Sequence, residues 1–215
     1  METLNITLLS DGSSDKALIY VVKWLLDDLF PRLPNAIQYA DFRRFKNPPS
    51  KKDVALQVKA AKENYPFDVL IYHRDAESND LKMVNKRKLE VLEQIGDEDK
   101  NTVVCVVPVR MMETWLLISA EAIKKAAGNR CFSGEIDLPV VSRLEQESAP
   151  KVLLHQRLTQ ASGLKGRRLK KFNVHKAVHL VAENIRDYST LRNLAAFRVF
   201  ESDLNEMVAN KIRQQ

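Results

Sequence analysis

Cysteine is scarce in this chain. Its 215 residues include two, Cys105 and Cys131. They form no Cys-x-x-Cys pair and share no ligand spacing with the histidines, so a structural zinc site has no support. Cys105 sits inside Val103-Val104-Cys105-Val106-Val107 and reads as a small core residue, whereas Cys131 lies in a polar connector. No apolar run approaches the roughly 18–20 residues that a membrane span requires. The opening METLNITLL has neither a basic start nor a small-residue cleavage site, so no secretory signal is expected. A reduced, cytoplasmic protein away from the membrane is the resulting expectation. Internal repeats and low-complexity tracts are missing. So is a Gly-rich loop of the Gly-x-x-x-x-Gly-Lys type, which ranks a nucleotide- or phosphate-handling enzyme last among the possible functions.

What is present suits a globular chain with one real core, for 45% of residues are hydrophobic and 29% charged. Charge is unevenly placed. Residues 1–150 carry 21 Lys and Arg against 23 Asp and Glu, while residues 151–215 carry 13 against 5. A neutral-to-acidic front joined to a basic end suggests a polyanionic partner. Solvated helix faces rich in Lys and Arg would give the same balance.

Residues 4–9 read as a strand, apolar and β-branched, ending at turn formers. Ala17, Leu18, Val21, Val22, Leu25, Leu26 and Leu29 then recur at helical spacing, with Ser14 as a candidate cap. A second strand is predicted over 37–45 and a helix over 50–64, capped by Ser50. Phe67 to His73 form a third strand, nearly continuous in apolar residues, and a charged helix follows over 79–95. A fourth strand is expected over 102–109 and a fourth helix over 111–127. Strands alternating with helices predict an α/β fold with a mainly parallel four-stranded sheet, covered by helices on both faces. From residue 149 only helices are expected, at about 149–162, 173–186, 188–196 and 198–212. The predicted division is an α/β domain over 1–128 and a helical, basic subdomain over 129–215.

Acids fall repeatedly where these strands end. The first runs into Ser10-Asp11-Gly12-Ser13-Ser14-Asp15, the third into Arg74-Asp75-Ala76-Glu77, and the fourth into Pro108-Val109-Arg110-Met111-Met112-Glu113. In open parallel sheets ligands gather outside the carboxyl ends of strands. Carboxylates brought that close stay ionised together only around a cation. Mg²⁺, or Mn²⁺ in its place, takes such oxygen ligands together with substrate phosphates, and can drive attack at a phosphodiester. Gly12 would let a phosphate approach the backbone. Each piece also has a plain explanation: a turn at Asp11-Gly12, a helix-dipole partner at Asp15, solvated loops at Asp75 and Glu77.

The pattern Asp11-Gly12-Ser13-Ser14-Asp15, followed some sixty residues later by an apolar strand and Asp75-Ala76-Glu77, resembles the Toprim domain of topoisomerases, primases and nucleases of the overcoming-lysogenization-defect type. Pro108 followed by Glu113-Thr114-Trp115-Leu116-Leu117 is similar to small bacterial Toprim-like proteins found with phage-defence genes. The resemblance covers residues 4 to about 120. It implies a Toprim-like fold with metal held by Asp11, Asp15, Asp75, Glu77 and Glu113, and with catalysis centred on Asp11, Asp75 and Glu77. Two departures stand out. Asp11 takes the place of a usual Glu, and Glu77 the place of a usual Asp. Each keeps its charge but changes reach by one methylene, which bears on turnover more than on metal binding.

The densest basic run is Lys165-Gly166-Arg167-Arg168-Leu169-Lys170-Lys171, five cations in seven positions. Lys165, Arg167, Arg168, Lys170 and Lys171 are the expected contacts to a nucleic-acid backbone. His73, beside Asp75, reads as a strand-end residue, with a proton shuttle or metal neighbour as the alternative. His155, His175 and His179 read as structural or surface residues on helices, and Arg110 and Lys176 as lesser phosphate contacts. The leading expectation is a Mg²⁺-dependent nuclease acting on DNA or RNA. Its rival is a non-catalytic module that binds nucleic acid or a partner protein beside an ATPase. A role in antiviral defence is implied only by the resemblance.

Overall fold

The computed structural model describes residues 2–10, 12–129 and 131–214. The fold is α/β, with a four-stranded, all-parallel sheet flanked by helices. Strands β1 (Leu4–Ser10), β2 (Asn35–Tyr39), β3 (Val69–His73) and β4 (Val103–Val106) lie in the order β2-β1-β3-β4. They are connected by α1 (Leu18–Leu29), α2 (Val54–Asn64), and α3 (Leu81–Leu92) with the short α4 (Asp97–Lys100). After β4 come α5 (Ala120–Ala126), α6 (Pro150–Ser162), α7 (Gly166–Lys170), α8 (Val174–Asn184) and α9 (Ala195–Gln214).

Strand alternation builds two cores. Leu4, Ile6 and Leu8 of β1, Val69 and Ile71 of β3, and Val104 and Val106 of β4 face one side, against α1, α5, α6, α8 and α9. Leu9, Leu70, Tyr72, Val103 and Cys105 face the other, against Val54 and Val58 of α2 and Val84 and Val91 of α3. That two-sided cover is why the strands read as unbroken apolar runs. The chain leaves β1 toward β2 with α1 on one face, then turns back toward β3 and β4 with α2 and α3 on the opposite face. Reversing the direction of a right-handed crossover requires that switch. The reversal falls between β1 and β3, paired in register from Ile6 with Val69 to Ser10 with His73. A crevice at that switch point is where such sheets bind ligands.

Local details differ from the sequence expectations for physical reasons. The predicted helix over 111–127 is instead a 3-10 turn at Met112–Leu116, then α5. Ser119 separates them, because its hydroxyl accepts the Ala122 N–H and starts a new helix. Helix α2 is capped by Asp53, whose carboxylate accepts the Leu56 N–H at 2.9 Å, rather than by Ser50. Strand β2 stops at Tyr39 and the chain enters a 3-10 turn, Phe42–Arg44, capped by Asp41. Residues 189–193 form a 3-10 turn rather than a helix.

Cys105 is buried in β4 while Cys131 is exposed. Burial pushes the Cys105 thiol up to about 12. The native protein is therefore expected to show one fast thiol toward Ellman's reagent, Cys131, and a second only after denaturation. Two fast thiols in the native state would contradict the burial of Cys105.

Candidate functional site

The carboxyl ends of β1 and β3 deliver their acids to one place, with His73 between them. Its ring is buried at the end of β3. Nδ1 lies 3.3 Å from Asp15 Oδ2, and Nε2 lies 3.2 Å from Asp75 Oδ1. Neither ring nitrogen is aligned well enough to make a hydrogen bond, so the contacts are ion pairs by proximity. Burial alone would push the imidazole down. The two carboxylates outweigh it and hold the ring up, to about 10.

Asp15 is turned inward. Its Oδ2 accepts the Gly12 N–H at 3.0 Å and its Oδ1 accepts the Ser14 hydroxyl at 3.1 Å. Burial raises its pKa, but His73, Ser14 and the Gly12 amide together bring it below the usual carboxylate value. This geometry also explains Gly12. A Cβ there would meet Asp15 Oδ2 at 2.9 Å, so the missing side chain makes room for a carboxylate. Ser10 Oγ donates to the Gly12 carbonyl at 2.9 Å and the Tyr39 hydroxyl donates to it at 3.1 Å, which fixes the turn. Asp11 lies outside the described residues, one position beyond Ser10.

Asp75 faces the crevice more openly. Its Oδ1 accepts the Met112 N–H at 3.0 Å, tying the end of β3 to the segment after β4. Oδ2 accepts no hydrogen bond from a described residue. The two loops are zipped together by Ala76 N–H to the Pro108 carbonyl, Glu77 N–H to that of Arg110, and Arg110 N–H to that of Ser78, at 3.1, 3.0 and 2.9 Å. Both Glu77 and Arg110 have left-handed backbones, with φ of 54° and 60°. Non-glycine residues in that region are uncommon and gather at functional sites. The kink turns the Glu77 side chain into solvent, where Arg87 of α3 meets it at 3.4 Å.

Glu113 is buried on the 3-10 turn after β4. Burial raises its pKa, the negative charge of Asp75 adds to that, and Lys151 opposes both. Lys151 comes from the first turn of α6, with Nζ 3.4 Å from Glu113 Oε1. Asp15, His73, Asp75 and Glu77 share a polar cleft of about 200 Å³ with Arg74 and Arg87.

Of the acids expected from sequence, Asp15 and Asp75 meet through His73, and Glu113 lies within electrostatic reach of Asp75. Glu77 shares the cleft but is engaged by Arg87. Among the described residues, no three His, Cys, Asp or Glu side chains form a group that could hold a metal ion. Asp75 and Glu113 are both oxygen donors, and the charge of Asp75 adds to the burial that raises the Glu113 pKa. Mg²⁺ commonly takes only one or two protein carboxylates and completes its shell with water and phosphate.

The five cations of the basic run are all exposed on and around α7. None makes an ion pair with a described residue, and none lines the clefts at the carboxyl edge. Sequence reasoning missed Lys151. His73 reads from the sequence as a strand end, with a proton shuttle or metal neighbour as the alternative, and Lys151 is not assigned to the site. Adjacency of His73 to Asp75 was the available signal for that alternative; nothing local pointed Lys151 at Glu113. The chain matches no protein-family model, no curated protein and no solved structure.

Proposed function

We propose that this chain is a Toprim-like phosphodiester hydrolase, dependent on Mg²⁺ or Mn²⁺ and acting on DNA or RNA. The observation that carries the reading is the convergence of Asp75 with Asp15 and Glu113 at the switch point of a parallel sheet. In this reading Asp75 and Glu113 hold the metal, with Asp11 as the third candidate from the adjoining strand end. The bound cation would polarise a phosphoryl oxygen and lower the pKa of a water. His73 holds Asp75 in place and balances its charge against Asp15, which acts as a positioning residue. Lys151 opposes the burial that raises the Glu113 pKa and adds positive charge beside the phosphate position. The test is Mg²⁺- and Mn²⁺-dependent cleavage of DNA and tRNA by the wild type and an Asp75 variant. A cytoplasmic, antiviral role in bacteria belongs to the same proposal and rests on the resemblance alone.

A second reading, a non-catalytic module beside an ATPase, is favoured by two observations. The Asp15 oxygens are taken up by the Gly12 amide and the Ser14 hydroxyl, and Glu77 is drawn away to Arg87. Salt-sensitive binding without cleavage by the wild type would select it.

Either reading uses the exposed basic run. Replacing Arg167, Arg168 and Lys170 together with Ala is expected to weaken nucleic-acid binding across sequences. The slope of log affinity against log salt should become shallower by about 0.7–0.9 for each phosphate that is no longer neutralised. An unchanged slope in a fluorescence-anisotropy titration would show that the run does not touch the backbone.

A further inference from the structure

A second cleft opens beside the acids, at the carboxyl ends of β1 and β2, with a volume of about 580 Å³. That is the size of a small-ligand site. Its charged lining is mainly basic. Lys51, Lys151 and Arg43 reach it, as do His175 and His179 of α8. Among the described residues the one acid in its lining is Asp41, held by Arg43 through paired contacts of 2.7 and 2.6 Å. Tyr39 and Phe42 give the cleft aromatic surface. Both rings are pre-set. The Tyr39 hydroxyl is bound to Ser10 and Gly12, and Phe42 packs edge-on against Phe45 and Tyr65 with centroids 5.2 and 6.0 Å apart.

We infer that this cleft binds one nucleotide, its phosphate toward Lys51, Lys151 and His175 and its base against Phe42. Cations alone would accept any anion, and a fixed aromatic face alone any flat apolar group. Together they match the two halves of a nucleotide. Lys151 joins the cleft to the acids, since it lines the cleft and stands 3.4 Å from Glu113. A nucleotide seated there would present its neighbouring phosphodiester to the acidic crevice. The assignment of that neighbour rests on the hydrolase reading; binding of the nucleotide itself does not.

The test is calorimetric titration of 5′-AMP, adenosine and inorganic phosphate into the full chain in EDTA, where cleavage cannot occur. AMP should bind more tightly than adenosine or phosphate. Phe42→Leu, which keeps packing against Tyr65, should weaken AMP about tenfold and leave phosphate unchanged. Lys51→Ala, on an exposed turn, should weaken both AMP and phosphate. Circular dichroism of each variant checks that it is folded. No AMP binding by the folded wild type would overturn the proposal. So would equal affinity for AMP and phosphate, or AMP binding that neither variant changes. Failure of the hydrolase reading is seen separately, as absence of Mg²⁺-dependent cleavage, and leaves the EDTA titration interpretable.

Discussion

Replacing Asp75 with Asn is expected to reduce Mg²⁺-dependent cleavage by more than about 100-fold without loss of folded protein. On the proposed reading Asp75 is a charged metal ligand, and its removal costs more than the roughly 10–100-fold typical of groups that only support ligands. The choice of Asn separates charge from structure. Its side-chain oxygen can still accept the Met112 N–H, so the link between the loops after β3 and β4 survives. The remaining cost is the contact with His73, whose buried ring keeps Asp15 as its partner. Cleavage assays should therefore fall while the melting temperature changes little. Retained cleavage would remove Asp75 from the metal site and with it the observation that carries the proposed function. A large drop in melting temperature would instead assign Asp75 a structural role.

Trp115→Ala is expected to destabilise the protein by about 3–5 kcal/mol, the usual range for truncating a fully buried aromatic residue. For a chain of this size that lowers the melting temperature by roughly 6–20 °C. Trp115 has no exposed surface and sits two positions after Glu113. Its ring meets Phe197 edge-on at 5.2 Å and stacks near Phe200 at 6.1 Å, both on α9. It thus couples the segment that carries Glu113 to the C-terminal helix. The same buried cluster runs from Leu4 of β1 to Val208 of α9, so one cooperative transition is expected for wild type and variant alike. Thermal melts followed by circular dichroism and by tryptophan fluorescence should coincide for the wild type. A loss below about 1 kcal/mol would mean the site refills the space, and the coupling argument would fail.

Much of the sheet was legible in the sequence. Residues 4–9, 67–73 and 102–109 are apolar runs closed by turn formers, and each overlaps a strand of the structure. Their two-sided apolarity points to the parallel, helix-covered class, because strands buried on both faces lack polar alternation. The acids at their ends followed directly, since a strand's end in sequence is also its end in space. Helix limits were less legible. Competing caps such as Ser50 and Asp53 look alike until tertiary packing selects one.

The order of residues alone is enough for the class of fold, for the edge of the sheet that gathers acids, and for a basic run left to solvent. What those acids do to one another is set by packing in three dimensions. Packing buries His73 between Asp15 and Asp75, engages both Asp15 oxygens with nearby donors, and turns Glu77 toward Arg87. It also brings Lys151 of α6 to Glu113 and sets Phe42 beside Lys51 in a cleft. Local periodicity gives the direction of a strand or helix face. Side-chain direction across a loop, and contacts between distant elements, depend on how those elements pack, which no short window of sequence contains.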